Sequence, residues 1–229
     1  QESPTSQKIY TVGFAQDTMS NDWRAAQVND VKRVLEKHPN IHFIYTDAKG
    51  SSARQAFDFE RLANEGADIL ITSPRDVRAM TPVVSEMMKR GIPVILLTRR
   101  ILSDDYTTFI GADDRDIARS AARFLAKELN GKGRVVMLQG VPTATSAIAR
   151  AEGFIEVMKN YPGIEIVAQP IANYRRNIAI KEMDKVISAG IKFDALYAHS
   201  DSMATGARMA MMGAGIDPRS IKIVGIDYI

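Results

Sequence analysis

Short apolar runs rich in β-branched residues recur at a steady interval along the chain. One set covers residues 9–14, 41–45, 69–71 and 94–97, and a second covers 135–138, 164–167, 195–197 and 221–226. Successive starts lie roughly 25 to 32 residues apart, about the length of one βα unit. Between the runs the apolar positions change to a helical period. Residues 22–38 carry Trp23, Ala26, Val31, Val34 and Leu35 at that spacing, and residues 113–129 carry Ile117, Ala121, Phe124, Leu125 and Leu129. Glu65-Gly66-Ala67-Asp68, Arg90-Gly91-Ile92-Pro93 and Ala189-Gly190-Ile191-Lys192 each read as a helix stop followed by a strand start, with glycine at the left-handed position. Strands alternating with helices predict an α/β fold whose parallel sheets are covered on both faces. Burial on both faces accounts for runs that are continuous rather than alternating.

The repeat breaks once. Residues 98–105 (TRRILSDD) are polar and too short for a helix, residues 107–110 read as another short strand, and Gly111-Ala112-Asp113-Asp114 opens the next helix. Residues 109–113 are read as a crossing between two lobes, an N-terminal lobe over 7–111 and a C-terminal lobe over 112–229. Each lobe would carry about four βα strands in a three-layer αβα arrangement; the alternative is one continuous sheet of roughly eight or nine strands.

Composition narrows the function. Of 229 residues, 45% are hydrophobic and 25% charged, an ordinary globular mixture. The 30 Lys and Arg against 27 Asp and Glu leave a net charge of +3 with no basic block, so no nucleic-acid partner is expected. With no cysteine, disulfides, Cys-ligated zinc, Fe–S clusters and thiol catalysis are excluded, and an oxidising compartment is compatible with that. No apolar run approaches the ~20 residues of a membrane span. The opening QESPTS is polar and reads as a leader, either the mature end left by signal-peptide removal or an expression boundary.

Ligands of parallel α/β sheets sit outside the carboxyl ends of the strands. Here those ends carry residues 16–23, 73–75, 98–100, 140–146, 173–176, 199–201 and Asp227, a polar set rich in Arg and Asp that includes Trp23 and Tyr174. Enzyme readings find little support. His199-Ser200-Asp201 has the letters of a triad, but sequence neighbours seldom have its geometry, and a helix start capped by Ser200 or Asp201 is the better reading. His38, His42 and His199 lack metal-ligand spacing, and the first two read as surface residues. Neither G-x-G-x-x-G nor G-x-x-x-x-G-K-[ST] occurs. Residues 140–146 precede a helix and either face an anion or merely cap it. No catalytic residue, metal or cofactor is assigned. A sugar suits the set better: aromatic rings cover its C–H faces, and planar guanidinium and carboxylate groups hold its hydroxyl pairs. Taken alone, Trp23 also reads as a core or staple residue, and Asp227 as a turn residue.

Four stretches carry a resemblance in their order and spacing. They are Val12-Gly13-Phe14-Ala15-Gln16 with Asp22-Trp23-Arg24-Ala25-Ala26, residues 145–154 (TSAIARAEGF), residues 197–207 (YAHSDSMATGA), and Val224-Gly225-Ile226-Asp227. From Tyr10 onward the chain resembles the type I periplasmic binding proteins of sugar ABC transporters, in the ribose-binding and galactofuranose-binding branch. The resemblance implies a two-lobed fold that closes on a monosaccharide, a related polyol or a sugar acid, and presents the closed form to an ABC transporter permease. It implies a periplasmic monomer without covalent chemistry. Carried over residue by residue, Asn21, Trp23 and Arg24 match the loop that meets the sugar. Ser73 matches a polar position after the third strand, and Arg99 the Arg after the fourth. Arg150 matches an Arg that holds ring or hydroxyl oxygens, and Tyr174 an aromatic stacking position. Ser200 matches a position usually held by Asn or Asp, and Asp227 the hydroxyl-binding Asp before the hinge. Gln16, Arg75, Thr98 and Arg100 are further candidates for ligand contact. Arg54, Arg78 and Arg208 are candidate permease contacts, or ordinary solvated charges.

Two departures bear on the ligand. Thr98-Arg99 stands where the branch commonly has Asp-Arg, which removes a carboxylate acceptor worth roughly 1.5–3 kcal/mol. The ligand then lacks a hydroxyl there or carries an anionic group toward Arg24, Arg99 and Arg100. Ser200 in place of Asn shortens the reach. Family members run on for roughly another 60 residues, back to the first lobe and across again; the expectation is that the returning segment is missing here. The alternative function is the sugar-sensing ectodomain of a membrane receptor such as a histidine kinase. A repressor reading, which needs a helix-turn-helix ahead of Ile9, is not expected with eight residues before it.

Overall fold

A computed structural model describes residues 8–228. The leader reading of residues 1–6 therefore lies outside the described residues. The chain divides into two compact units with the boundary between Gly111 and Ala112.

The first unit runs β1 (Tyr10–Gln16), α1 (Asp22–Leu35), β2 (Ile41–Asp47), α2 (Ser52–Asn64), β3 (Ile69–Thr72), α3 (Val77–Lys89), β4 (Val94–Leu97) and β5 (Thr108–Ile110). Its sheet is parallel throughout, in the order β2-β1-β3-β4-β5. Side chains of β1 alternate between two cores. Val12 and Phe14 join Val28 of α1 on one face, while Ala15 joins Phe59 and Leu62 of α2 and Met80 and Val84 of α3 on the other. Both faces are thus dry, as the continuous apolar runs require. The α3 stop has the double hydrogen bond of a Schellman cap: Gly91 N–H donates to Met88 and Ile92 N–H to Met87, both at 3.0 Å, with Gly91 at φ +80°.

The second unit runs α4 (Asp114–Glu128), β6 (Lys132–Leu138), α5 (Thr145–Met158), β7 (Gly163–Ala168), α6 (Arg176–Ser188), β8 (Ala195–Ala198), α7 (Asp201–Gly213), a 3-10 turn (Pro218–Ser220) and β9 (Lys222–Val224). Its parallel sheet has the order β7-β6-β8-β9. Val136, Leu138, Leu196 and Ala198 face α6 and α7. Val135, Met137, Ala195 and Tyr197 face α4 and α5, with the Tyr197 ring stacked on Phe154 at 4.2 Å between centroids.

The single continuous sheet is excluded by two separate sheets. The count of about four strands per lobe holds for the second unit, whereas the first has five, because the short Thr108–Ile110 strand pairs with β4. The run at 221–226 forms a strand only over Lys222–Val224, the extent of its ladder with β8. His38 and His42 are exposed, as read from the sequence.

Candidate functional site

In the first unit, the ladder of β1 ends at Gln16 and the chain turns through Asp17 toward α1. The Asp17 side chain is 1% exposed, and three guanidinium groups converge on it. Arg99, after β4, donates from Nη1 to Oδ2 at 2.9 Å. Arg75, after β3, lies 3.5 Å from the same oxygen, and Arg24 Nε lies 3.6 Å from Oδ1. Burial alone would raise the Asp17 carboxyl, but Arg99, Arg24 and Arg75 more than offset it and hold the group below its ordinary value.

The neighbours of this cluster come from the same strand ends. Arg24 Nη1 donates to Ser73 Oγ at 2.7 Å and to Gln27 Oε1 at 3.2 Å. Gln16 Nε2 donates to the Arg24 carbonyl at 3.2 Å. Ser73 Oγ lies 3.2 Å from Thr98 Oγ1. Asn21 caps α1, its Oδ1 accepting the Arg24 amide at 2.8 Å. Trp23 is half-buried beside it, with the Arg24 guanidinium 5.0 Å from the ring centroid. The fold therefore brings Gln16, Asn21, Trp23, Arg24, Ser73, Arg75, Thr98 and Arg99 to one end of one sheet. Arg100 is exposed and stacks on Phe109 at 3.7 Å, donating to Tyr106 Oη at 2.9 Å.

In the second unit the organising group is Arg150 of α5. Its Nε donates to Asp114 Oδ1 at 2.8 Å and its Nη1 to the His199 carbonyl, and Nη1 lies 3.8 Å from Asp227 Oδ1. Burial disfavours the guanidinium charge, but Tyr174, Asp114 and Asp227 together favour it more, so its pKa is raised. The Tyr174 ring centroid is 5.8 Å from the Arg150 guanidinium, and its Oη lies 3.1 Å from Ser146 Oγ. Ser200 caps α7 through its Oγ, which accepts the Met203 amide at 3.3 Å. His199 is fully buried, and its Nδ1 accepts the Gly140 amide at 3.2 Å, which assigns the ring proton to Nε2. Burial first, and then Arg150, push the imidazole pKa down to about 3, so the ring is neutral.

Backbone strain gathers at the same ends. Thr98 has φ +60°, Tyr174 φ +61° and Asp227 φ +113°. A non-glycine residue held there costs on the order of 1–3 kcal/mol, and such outliers concentrate at binding and catalytic sites.

Sequence reasoning missed Asp17, Asp114 and His199 as parts of these clusters. Asp17 lay within the strand-end segment 16–23 but resembles any polar turn residue. Its only distinguishing mark is convergence with Arg75 and Arg99 from two other strand ends, which no local pattern encodes. A carboxylate thus enters the cluster just after β1.

Tyr174 also fixes its neighbour. A Cβ on Gly140 would stand 2.1–2.5 Å from the Tyr174 ring. Gly140→Ala is therefore expected to displace that ring and to cost about 1–3 kcal/mol, as overpacking does. Gly213→Ala, on exposed helix with nothing within 4 Å of the added carbon, is expected to leave stability unchanged or slightly raised. Urea denaturation of the two variants against the parent measures both.

Arg54, Arg78 and Arg208 are exposed, and Arg54 lies 3.6 Å from Asp58 one helical turn on. Among the described residues no helix is long and apolar enough to cross a membrane.

A periplasmic binding protein domain model matches residues 12–229. The chain is 34% identical over 215 residues to the galactofuranose-binding protein YtfQ of Escherichia coli, covering 91% of this chain and 67% of that protein. It is 31% identical over 194 residues to a xylitol-binding protein of Mycolicibacterium smegmatis, covering 84% of this chain and 55% of the relative. Among solved structures, the fructose binding periplasmic domain of the hybrid two component system BT1754 superposes with a TM-score of 0.90 at 36% identity, covering 96% of this chain and 73% of that one. With nearly all of its described length inside that match and two parallel αβα sheets, the chain belongs to the periplasmic binding protein domain family.

Proposed function

We propose that the chain is a solute-binding protein of the periplasm, which captures a monosaccharide or a related polyol or sugar acid between its two units and delivers it to an ABC-type permease. The observation that carries this reading is the placement of buried or nearly buried, mutually anchored Arg and Asp groups at the carboxyl ends of both parallel sheets. Arg24, Arg99 and Asp17 occupy that position in the first unit, and Arg150, Asp114 and Asp227 in the second. Pre-set guanidinium and carboxylate groups suit vicinal hydroxyls, because their hydrogen-bonding edges need no reordering on binding. Trp23 offers an apolar face to sugar carbons. Contacts from both units favour the closed form over the open one, so ligand shifts the population toward the species a permease recognises. No bond is made or broken.

A second reading shares the binding step but not its outlet. The structural neighbour at 36% identity is the fructose binding periplasmic domain of a hybrid two component system. Under that reading closure signals to a kinase rather than to a permease.

The test is thermal denaturation with D-ribose, D-fructose, L-arabinose, xylitol, myo-inositol, galactose and uronic acids. A ligand at a hundred times its Kd adds about 2.7 kcal/mol, which for a protein of this size raises Tm by roughly 5–10 °C. At least one compound is expected to do so. Flat melting curves across the panel would remove the reading.

A further inference from the structure

Asp17 is an expensive residue to bury for the sake of stability alone. Its Oδ1 has no hydrogen-bond partner among the described residues and approaches Arg24 Nε only to 3.6 Å. Buried carboxylates left short of partners cost stability, and buried ion pairs are often no better than apolar packing of the same volume. The chain nevertheless places this carboxylate where the ends of β1, β3 and β4 meet, touching one guanidinium from each of three segments. Arg99 is 1% exposed, and its Nη1 hydrogen bond to Asp17 spans 82 residues of chain. Arg24 is gripped from the other side by Ser73 and Gln27.

We propose that Asp17 is the positioning residue of the first unit's half of the sugar site, setting the orientation of Arg24 and Arg99 in addition to balancing their charge. The proposal rests on the sugar-binding reading above. Guanidinium groups are planar forks, so a small rotation changes which edges they offer to hydroxyls. A carboxylate that fixes two of them at once acts on affinity through geometry. Arg75, at 3.5 Å, adds charge balance to the same oxygen.

The test compares Asp17→Asn, which keeps the shape and removes the charge, with the double variant Asp17→Asn/Thr98→Asp, which returns one carboxylate to the cluster. Thr98 is the site for the return because its Oγ1 lies 3.2 Å from Ser73 Oγ, itself 2.7 Å from Arg24 Nη1, and because Asp tolerates φ near +60° better than a β-branched residue. Calorimetric Kd is measured for whichever of D-ribose, D-fructose, L-arabinose, xylitol or myo-inositol binds the parent. The expected result is at least a tenfold weaker Kd for Asp17→Asn, together with a lowered Tm in the absence of sugar because the guanidinium groups lose their shared counter-charge, and recovery of most of the lost affinity in the double variant. Asp17→Asn binding as tightly as the parent, or a weaker Kd tracking a lowered Tm with no recovery in the double variant, overturns the proposal and leaves the sugar reading standing. A parent that binds none of the five sugars, nor any other compound of the wider panel, removes both.

Discussion

Arg150→Ala is expected to weaken sugar binding by at least a hundredfold, the largest effect of any single substitution. The guanidinium holds Asp114, the His199 carbonyl and the vicinity of Asp227 together across three elements of the second unit. Its removal takes away the donor proposed for the ligand and breaks the 2.8 Å ion pair with a nearly buried Asp114. Breaking one side of a buried pair typically costs about 3–5 kcal/mol, so a fall in stability accompanies the loss of binding. Arg150→Lys separates the two effects. It keeps a positive charge near Asp114 but offers a point donor in place of a fork. Stability close to the parent with binding still at least tenfold weaker is the expected pattern. Calorimetry and urea denaturation on both variants measure it, and Arg150→Ala binding within a factor of three of the parent would contradict the assignment.

The second large effect is acid sensitivity. His199 is neutral in the folded protein, with its pKa pushed from 6.5 to about 3 by burial and by Arg150. The unfolded chain takes up a proton near the ordinary value, so below that pH the unfolded state binds more protons than the folded one. The neutral ring therefore contributes stability fully above pH 6.5 and loses it progressively as pH falls toward 3. The loss over the whole window is on the order of 5 kcal/mol. Asp17, whose pKa is held below its ordinary value, acts in the same direction at the acid end: its stabilisation is present above the unfolded carboxyl pKa and is lost below it. His199→Gln is expected to flatten the decline of Tm between pH 6 and pH 4, leaving the steeper fall at lower pH. The groups around His199 are Arg150 and Tyr197, and neither titrates in that range, since both are shifted upward. A parent whose stability does not fall between pH 6 and pH 4 would contradict the buried neutral imidazole.

Much of the fold is legible in the residues, because burial on both faces of a parallel sheet leaves a strong mark. Residues 94–97 are apolar at every position and form β4 with those bounds. The apolar run at 41–45 is continued by Thr46 and Asp47, because the ladder with β1 goes on to Gln16 opposite Asp47; ladder length is set by the partner strand, not by hydrophobicity. The same reason shortens the run at 221–226 to three paired residues. The fifth strand of the first unit is only Thr108–Ile110, half exposed, and earns its place by pairing with β4.

The candidate site divides differently. Arg99 and Asp227 stand just past strands, where position alone marks them, whereas Arg150 lies within α5 and is marked by the stretch 145–154 around it. Ser200 carries a cap signature, and the cap forms. Asp17 and Asp114 are invisible locally, since an acid after a strand or at a helix start is unremarkable. Their roles arise from contacts with Arg99 and Arg150 made over 82 and 36 residues of chain. His199 reads as a polar residue beside a helix cap; its burial comes from the Gly140 amide and the Tyr197 ring packed against it.

A crystal structure grown with the tightest-binding sugar tests the account most directly. Density for one sugar touching Trp23 and Arg99 of the first unit and Arg150 and Asp227 of the second is the expected result. A sugar lodged on a single unit, or on a surface away from those four side chains, would contradict it.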